Sequence, residues 1–160
     1  MVKHLTLFLT ILFIGCEMNS EQLIKSENIN FENIKFNAVS KDLKFTNVQE
    51  GPEVVTTKKL VKDWFDNNIK IDGFDGNLSI NVTSIKTNKI KRDDYYRFEI
   101  DISIEFIETN EVLNKRKIYK INSIEYGDIY GSFSIKDTEN LNKNIISNSL
   151  KSINQKVSGI

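Results

Sequence analysis

The chain has 160 residues, with 22 Lys and Arg against 22 Asp and Glu, and a single cysteine, histidine and proline. That length suits one domain, and zero formal charge argues against nucleic acid, whose phosphates are neutralised by an excess of basic side chains. One cysteine excludes a disulfide framework within the chain, and no cluster of Cys and His is present to hold zinc, so neither a metal nor a cofactor is predicted.

Lys3 and His4 precede an apolar run from Leu5 to Ile14. Such a run has the length of a signal-peptide core and falls short of the roughly 20 residues of a spanning helix. Phe13-Ile14-Gly15-Cys16 resembles the lipobox of bacterial lipoproteins, in which a small residue precedes a cysteine that is lipidated and becomes the new N-terminus. The resemblance rests on Gly15 and Cys16; Phe13 stands where Leu is usual. It implies a signal peptide over residues 1–15, cleavage between Gly15 and Cys16, and attachment of a diacylglyceryl group and an N-acyl chain such as palmitate to Cys16. Several acyl chains anchor stably where one binds only marginally. Glu17 follows the cysteine in place of the Asp that favours inner-membrane retention in enteric bacteria, so the outer membrane, periplasmic face, is the expected address. The plainer reading is a secreted protein with an incidental cysteine. Processing removes His4 and consumes Cys16. The mature chain then has no histidine and no free thiol, and so lacks the commonest general base and a cysteine nucleophile.

Residues 16–40 are polar with scattered Ile and Phe and read as the lipidated N-terminus and a tether, with room for a short strand at Ile34 to Ala38. A coil of that length spans roughly 25–30 Å. One domain is expected over residues 41–160. Leu43 and Phe45 alternate with Lys44 and Thr46 as a first strand, and Gly51-Pro52 punctuates the chain. Thr56 or Thr57 is the expected cap of a helix to about Lys70, whose Leu60, Val61, Trp64 and Phe65 share one face. Gly73 is its candidate C-terminal cap. Asp72 and Asp75 could be read as calcium ligands, but Phe74 interrupts the alternation of oxygen ligands and a turn is the simpler reading.

Leu78, Ile80 and Val82 alternate with polar residues until the phase slips at Ser84-Ile85, a bulge or a strand end. Lys86 to Asp94 reads as a charged loop. From Tyr96 to Phe106 six apolar residues alternate with Arg97, Glu99, Asp101, Ser103 and Glu105, which predicts a long antiparallel strand with one face buried and one wet. A return strand follows to about Glu125, and residues 127–135 form a short strand or a loop. Asp137 or Thr138 caps a final helix with Ile146, Leu150, Ile153 and Val157 in a narrow stripe.

The predicted fold is α+β: a two-layer sandwich in which one mainly antiparallel sheet carries two helices on one face, in the order β-α-β-β-β-α. A lipobox, a polar tether and that element order together resemble LptE, the lipoprotein partner of the lipopolysaccharide-assembly barrel, and other small auxiliary lipoproteins of envelope transport. The resemblance implies a non-catalytic module, anchored to the membrane by lipid, that binds or helps assemble an envelope protein or lipid. Two alternatives stay open. One is an inhibitor or immunity-type lipoprotein that blocks a single protein. The other is a carboxylate-based hydrolase, with Asp63 and Asp66 or Asp93 and Asp94 as its pair. Lys115-Arg116-Lys117, with Lys120 nearby, is the candidate binding patch for anionic headgroups or an acidic partner. Period two splits it between faces, and lysines that protect a strand edge are the competing reading.

Overall fold

The computed structural model describes residues 30–159. Gly15, Cys16 and the signal segment lie outside the described residues. Strand β1 (Ile34–Phe36) and strand β2 (Ser40–Phe45) come first, then helix α1 (Pro52–Asn68) and strand β3 (Ile69–Ile71). The long strands β4 (Asn77–Lys91), β5 (Tyr95–Asn110) and β6 (Lys115–Tyr130) follow, and helix α2 (Ile135–Ser158) ends the chain. The main sheet has the order β2-β4-β5-β6, and β1 pairs with β3 as a separate parallel ribbon. β2 lies parallel to β4 because α1 carries the chain back between them, whereas β4, β5 and β6 form an antiparallel meander. This is the α+β arrangement expected from the sequence, with both helices on the apolar face.

The alternation in β5 does what its pattern demands. Phe98, Ile100, Ile102, Ile104 and Phe106 are buried beneath the helices, while Arg97, Glu99, Asp101, Ser103 and Glu105 face outward. In β4, Leu78, Ile80 and Val82 are wholly buried, and a bulge between Val82 and Ser84 returns Ile85 to the same face. That bulge is the phase slip visible in the sequence. Trp64 of α1 meets Phe106 edge-on at 6.4 Å between ring centroids, and Phe36 stacks on the same ring at 6.1 Å. The packed part of the chain therefore starts ahead of Lys41, since Ile34, Phe36 and Ala38 of the expected tether join the core.

Several boundaries differ from expectation, each for a local reason. α1 starts at Pro52, not at Thr56 or Thr57. Proline fits the first helical position because its missing N–H has no partner there anyway. Thr57 sits inside the helix, its hydroxyl donating to the Glu53 carbonyl at 2.8 Å. The helix runs directly into β3, so Gly73 caps nothing; a Cβ on Gly73 would lie 2.6 Å from the Ala38 nitrogen, and the glycine permits that close approach. The charged stretch from Lys86 is strand as far as Lys91, and only Arg92 to Asp94 turn. Both faces of the sheet are wet there, so alternation is lost although pairing continues. β6 likewise runs through Gly127 to Tyr130. Gly127 breaks the strand pattern in sequence because α2 presses on it: a Cβ there would lie 2.6 Å from Leu141 Cδ1. α2 is capped by Ser134 rather than by Asp137 or Thr138, with Asp137 closing a reciprocal capping box. The buried stripe of Ile146, Leu150, Ile153 and Val157 is as the sequence predicts.

Candidate interaction surface

The helices cover one face of the sheet, so the other presents the odd-numbered residues of β5 and the even-numbered residues of β6. On β6 this leaves Ile118, Ile124, Tyr126 and Tyr130 between 47% and 64% exposed. At one end of this face Arg97 stands directly opposite Asp128 in the register. Its Nε and Nη2 donate to the two carboxylate oxygens of Asp128, each at 2.8 Å. The guanidinium also lies over the Tyr126 ring, 4.2 Å from its centroid, and 5.8 Å from that of Tyr95. Tyr95 in turn meets Tyr130 at 5.2 Å.

A two-pronged hydrogen bond fixes the plane of the guanidinium, and the ring stacking fixes its depth. Arg97 and the hydrogen bonds it donates hold the Asp128 carboxyl below the usual carboxylate range, and Asp128 in turn pushes the Arg97 guanidinium higher still. Both groups stay charged at neutral pH. The result is a rigid aromatic and arginine surface, the composition that dominates binding energy at protein interfaces.

The basic run lies at the opposite end of β6. Lys115, Arg116 and Lys117 are exposed and stand opposite Asn110, Thr109 and Glu108. Lys115 and Lys117 point to the helix side and Arg116 to the open side, so the three do not share a face. Among the described residues none of the three has an ion-pair partner within 4.0 Å, whereas Lys120 pairs with Glu105 at 2.9 Å. The hairpin tip beside them exposes Val112 and Leu113.

The carboxylates considered for hydrolysis do not converge. Asp66 pairs with Lys62 at 2.7 Å on the outside of α1, one turn along the helix. Asp63 is exposed beside an open groove of about 300 Å³ that is also lined by Trp64 and Leu150. Asp93 and Asp94 sit at the exposed β4–β5 turn. A second cavity, walled by Phe98, Ile100 and Ile146, measures about 20 Å³, room for about one water molecule. Asp72 lies 4.0 Å from Lys35, and among the described residues no group of three or more potential ligands gathers at Asp72 and Asp75.

Two interior polar arrangements escape a reading by periodicity. The Lys41 ammonium donates to the Phe65 and Ile69 carbonyls at 3.0 and 2.5 Å, capping the C-terminal end of α1 with a positive charge. Burial pulls its pKa down. The indole N–H of Trp64 donates to Asn154 Oδ1 at 2.8 Å, and Asn154 Nδ2 donates to the Glu32 carbonyl at 3.2 Å. An asparagine inside the apolar stripe of α2 is the signal that a buried donor needs an acceptor. For the open face the missed signal is Tyr126-x-Asp128-x-Tyr130, whose spacing of two puts all three on one side once residues 127–130 are read as strand.

Among solved structures similar to the chain are a minor lipoprotein from Acinetobacter baumannii, rare lipoprotein B from Shewanella oneidensis and an uncharacterized lipoprotein B from Nitrosomonas europaea. The first is 10% identical, with 74% of this chain and 90% of that chain covered at a TM-score of 0.43. The second is 11% identical, covering 75% and 94% at 0.45. The third is 9% identical, covering 82% and 92% at 0.42. All three are bacterial lipoproteins. No protein-family model matches the chain, and no curated protein does. At these scores the likeness carries nothing about function.

Proposed function

We propose that the chain works as a non-catalytic envelope lipoprotein, an accessory or assembly module of the LptE kind. Cys16, acylated after cleavage behind Gly15, anchors it at the periplasmic face of the outer membrane. The open face of the sheet then binds another envelope component. The observation that carries the binding role is the half-buried Arg97–Asp128 pair seated among Tyr95, Tyr126 and Tyr130: charged and fixed in geometry. A fold needs no such cluster on its wet face, where single charged residues keep a sheet soluble. Arg116, on the same face at the other end of β6, extends the surface toward an acidic rim or anionic headgroups, while Lys115 and Lys117 lie on the helix side.

The test places a photo-activatable side chain at Tyr130, and as a control at Lys59 on α1, in the full chain in native envelopes. One adduct formed from Tyr130, absent from Lys59 and reduced by Asp128→Ala, is the expected result. Equal adducts from both positions, or none from Tyr130, would refute the open face as the binding surface. Radiolabelled palmitate should enter the wild-type chain and not Cys16→Ala. Incorporation into both would refute the anchor alone.

A further inference from the structure

We infer that the free edge of β6 is a self-complementary surface, built to pair antiparallel with β6 of a second copy of this chain. The inference does not depend on the anchor, and its seam runs beside the open face, sharing Arg116 and Tyr126 with it.

Among the described residues β6 is an outer strand of the sheet and runs for 16 residues with β5 on one side only. Its free backbone groups can be assigned by following the alternation across the sheet. The Val82 carbonyl accepts from the Thr46 N–H, so Val82 faces β2. Ile104, opposite Val82, therefore faces β6, and Ile121, opposite Ile104, faces β5. The even-numbered residues of β6 consequently turn their N–H and C=O groups outward. In agreement, Lys156 reaches the Asn122 carbonyl at 2.7 Å.

Such an edge is a template for another strand, and natural edges are usually blunted by charge along their length. Here the charge is not spread evenly. Lys115, Arg116, Lys117 and Lys120 occupy the first part of the strand, while Glu125, Tyr126, Asp128 and Tyr130 occupy the last. A parallel neighbour would bring like against like. An antiparallel second copy brings the basic end onto the acidic and aromatic end.

Side-chain direction allows only registers that match even with even residues. With the two-fold axis at Ile121, Lys117 stands opposite Glu125 on the helix side. On the open side Arg116 stands opposite Tyr126, and Ile118 opposite Ile124. The exposed isoleucines, 47% and 57% accessible in the single chain, cover one another, and each contact occurs twice. Moving the axis one residue toward the N-terminus sets Lys120 against Lys120. Moving it one residue the other way leaves Glu125 facing Tyr119. In the paired state the Asn122 carbonyl passes from Lys156 to the N–H of Lys120 in the second copy. The two sheets join into one continuous sheet of eight strands, with all four helices on the same side.

The experiment measures the mass of the full chain in mild detergent by light scattering across a concentration series, at low and moderate salt, for four forms: wild type, Lys117→Glu, Glu125→Lys and the double variant. The expected wild type is a dimer. Each single reversal, which sets like charges together at two symmetric places, weakens association by roughly ten- to a hundredfold. The double variant restores it. A wild type that stays monomeric throughout overturns the inference, as does a dimer indifferent to both reversals. Should a reversal damage folding, judged by the emission of Trp64, Ile124→Pro replaces it. That substitution removes an outward N–H without touching the β5 ladder, so a fully folded Ile124→Pro dimer also overturns the inference.

Discussion

Asn154→Leu probes the one buried polar tie between the two helices. Trp64 is 2% exposed and Asn154 4%, and the indole N–H reaches the amide oxygen at 2.8 Å. Leucine keeps the branched four-atom outline of asparagine and suits the apolar stripe of α2, although its two methyl groups are bulkier than the amide. The indole N–H, however, is left without an acceptor in a site closed to water. Stranding a buried donor costs about 1–3 kcal/mol. The Glu32 carbonyl also loses its partner, but it is near enough to solvent to find a replacement. For a domain of this size about 2 kcal/mol lowers Tm by roughly 6–12 °C.

The assay is urea unfolding of a chain starting at Asn19, followed by far-ultraviolet circular dichroism and by the emission of Trp64, the only tryptophan. In a Trp64→Phe background, followed by circular dichroism alone, Asn154→Leu should cost less than it does in the wild type, a partial recovery, because nothing polar is then stranded. A loss under about 0.5 kcal/mol in Asn154→Leu, with no recovery in the pair, would refute the bond as a stabilising element.

On β5, Ile102→Asp puts a carboxylate into a fully buried site and should cost several kcal/mol in urea unfolding, whereas Asp101→Ala on the open face should stay within about 0.5 kcal/mol. Equal losses would mean that both faces of the strand are covered. Asp128→Asn tests the arginine pair through pH. The folded pKa of Asp128 lies below its ordinary value of 3.8, so its contribution is present above that value and is lost as pH falls through the lowered one. Thermal melts should therefore show the variant less stable at pH 7, with the gap closing below about pH 4; a gap that widens in acid would reverse the assignment.

How far the sequence discloses this fold depends on where water lies. Residues Tyr96 to Phe106 announce a half-buried strand because helices cover one side and solvent wets the other. Lys86 to Lys91 and Gly127 to Tyr130 belong to equally regular strands, yet the first reads as a loop and the second as either a short strand or a loop. The first stretch is wet on both sides, and the second carries a glycine whose reason is the nearby Leu141. α1 and α2 are legible from their buried stripes, but their starts are not, since Pro52 and Ser134 act through backbone geometry that a helical period does not report. The surface around Arg97 needed the register: in sequence Arg97 and Asp128 are 31 residues apart, and only the hairpin brings them face to face.

The meander also has a consequence for the order in which the chain folds. β4, β5 and β6 are joined by short turns, so their pairing can begin between neighbours in sequence and spread like a zipper. β2 has no such neighbour. Ser40 lies opposite Asn77, 37 positions along the chain, and the segment between them has to form α1. Loop closure over that distance is slow compared with hairpin formation. During synthesis β2 and α1 emerge before the strand that completes them. The hairpins should therefore be protected from hydrogen exchange earliest in refolding, and the β2 amides last among those of the sheet. Until β2 docks, the edge of β4 from Asn77 to Val82 stands open, and the long β4 is a border of the sheet in place of the six-residue β2. While it stands open, that edge is a place where newly made chains can pair with one another and aggregate.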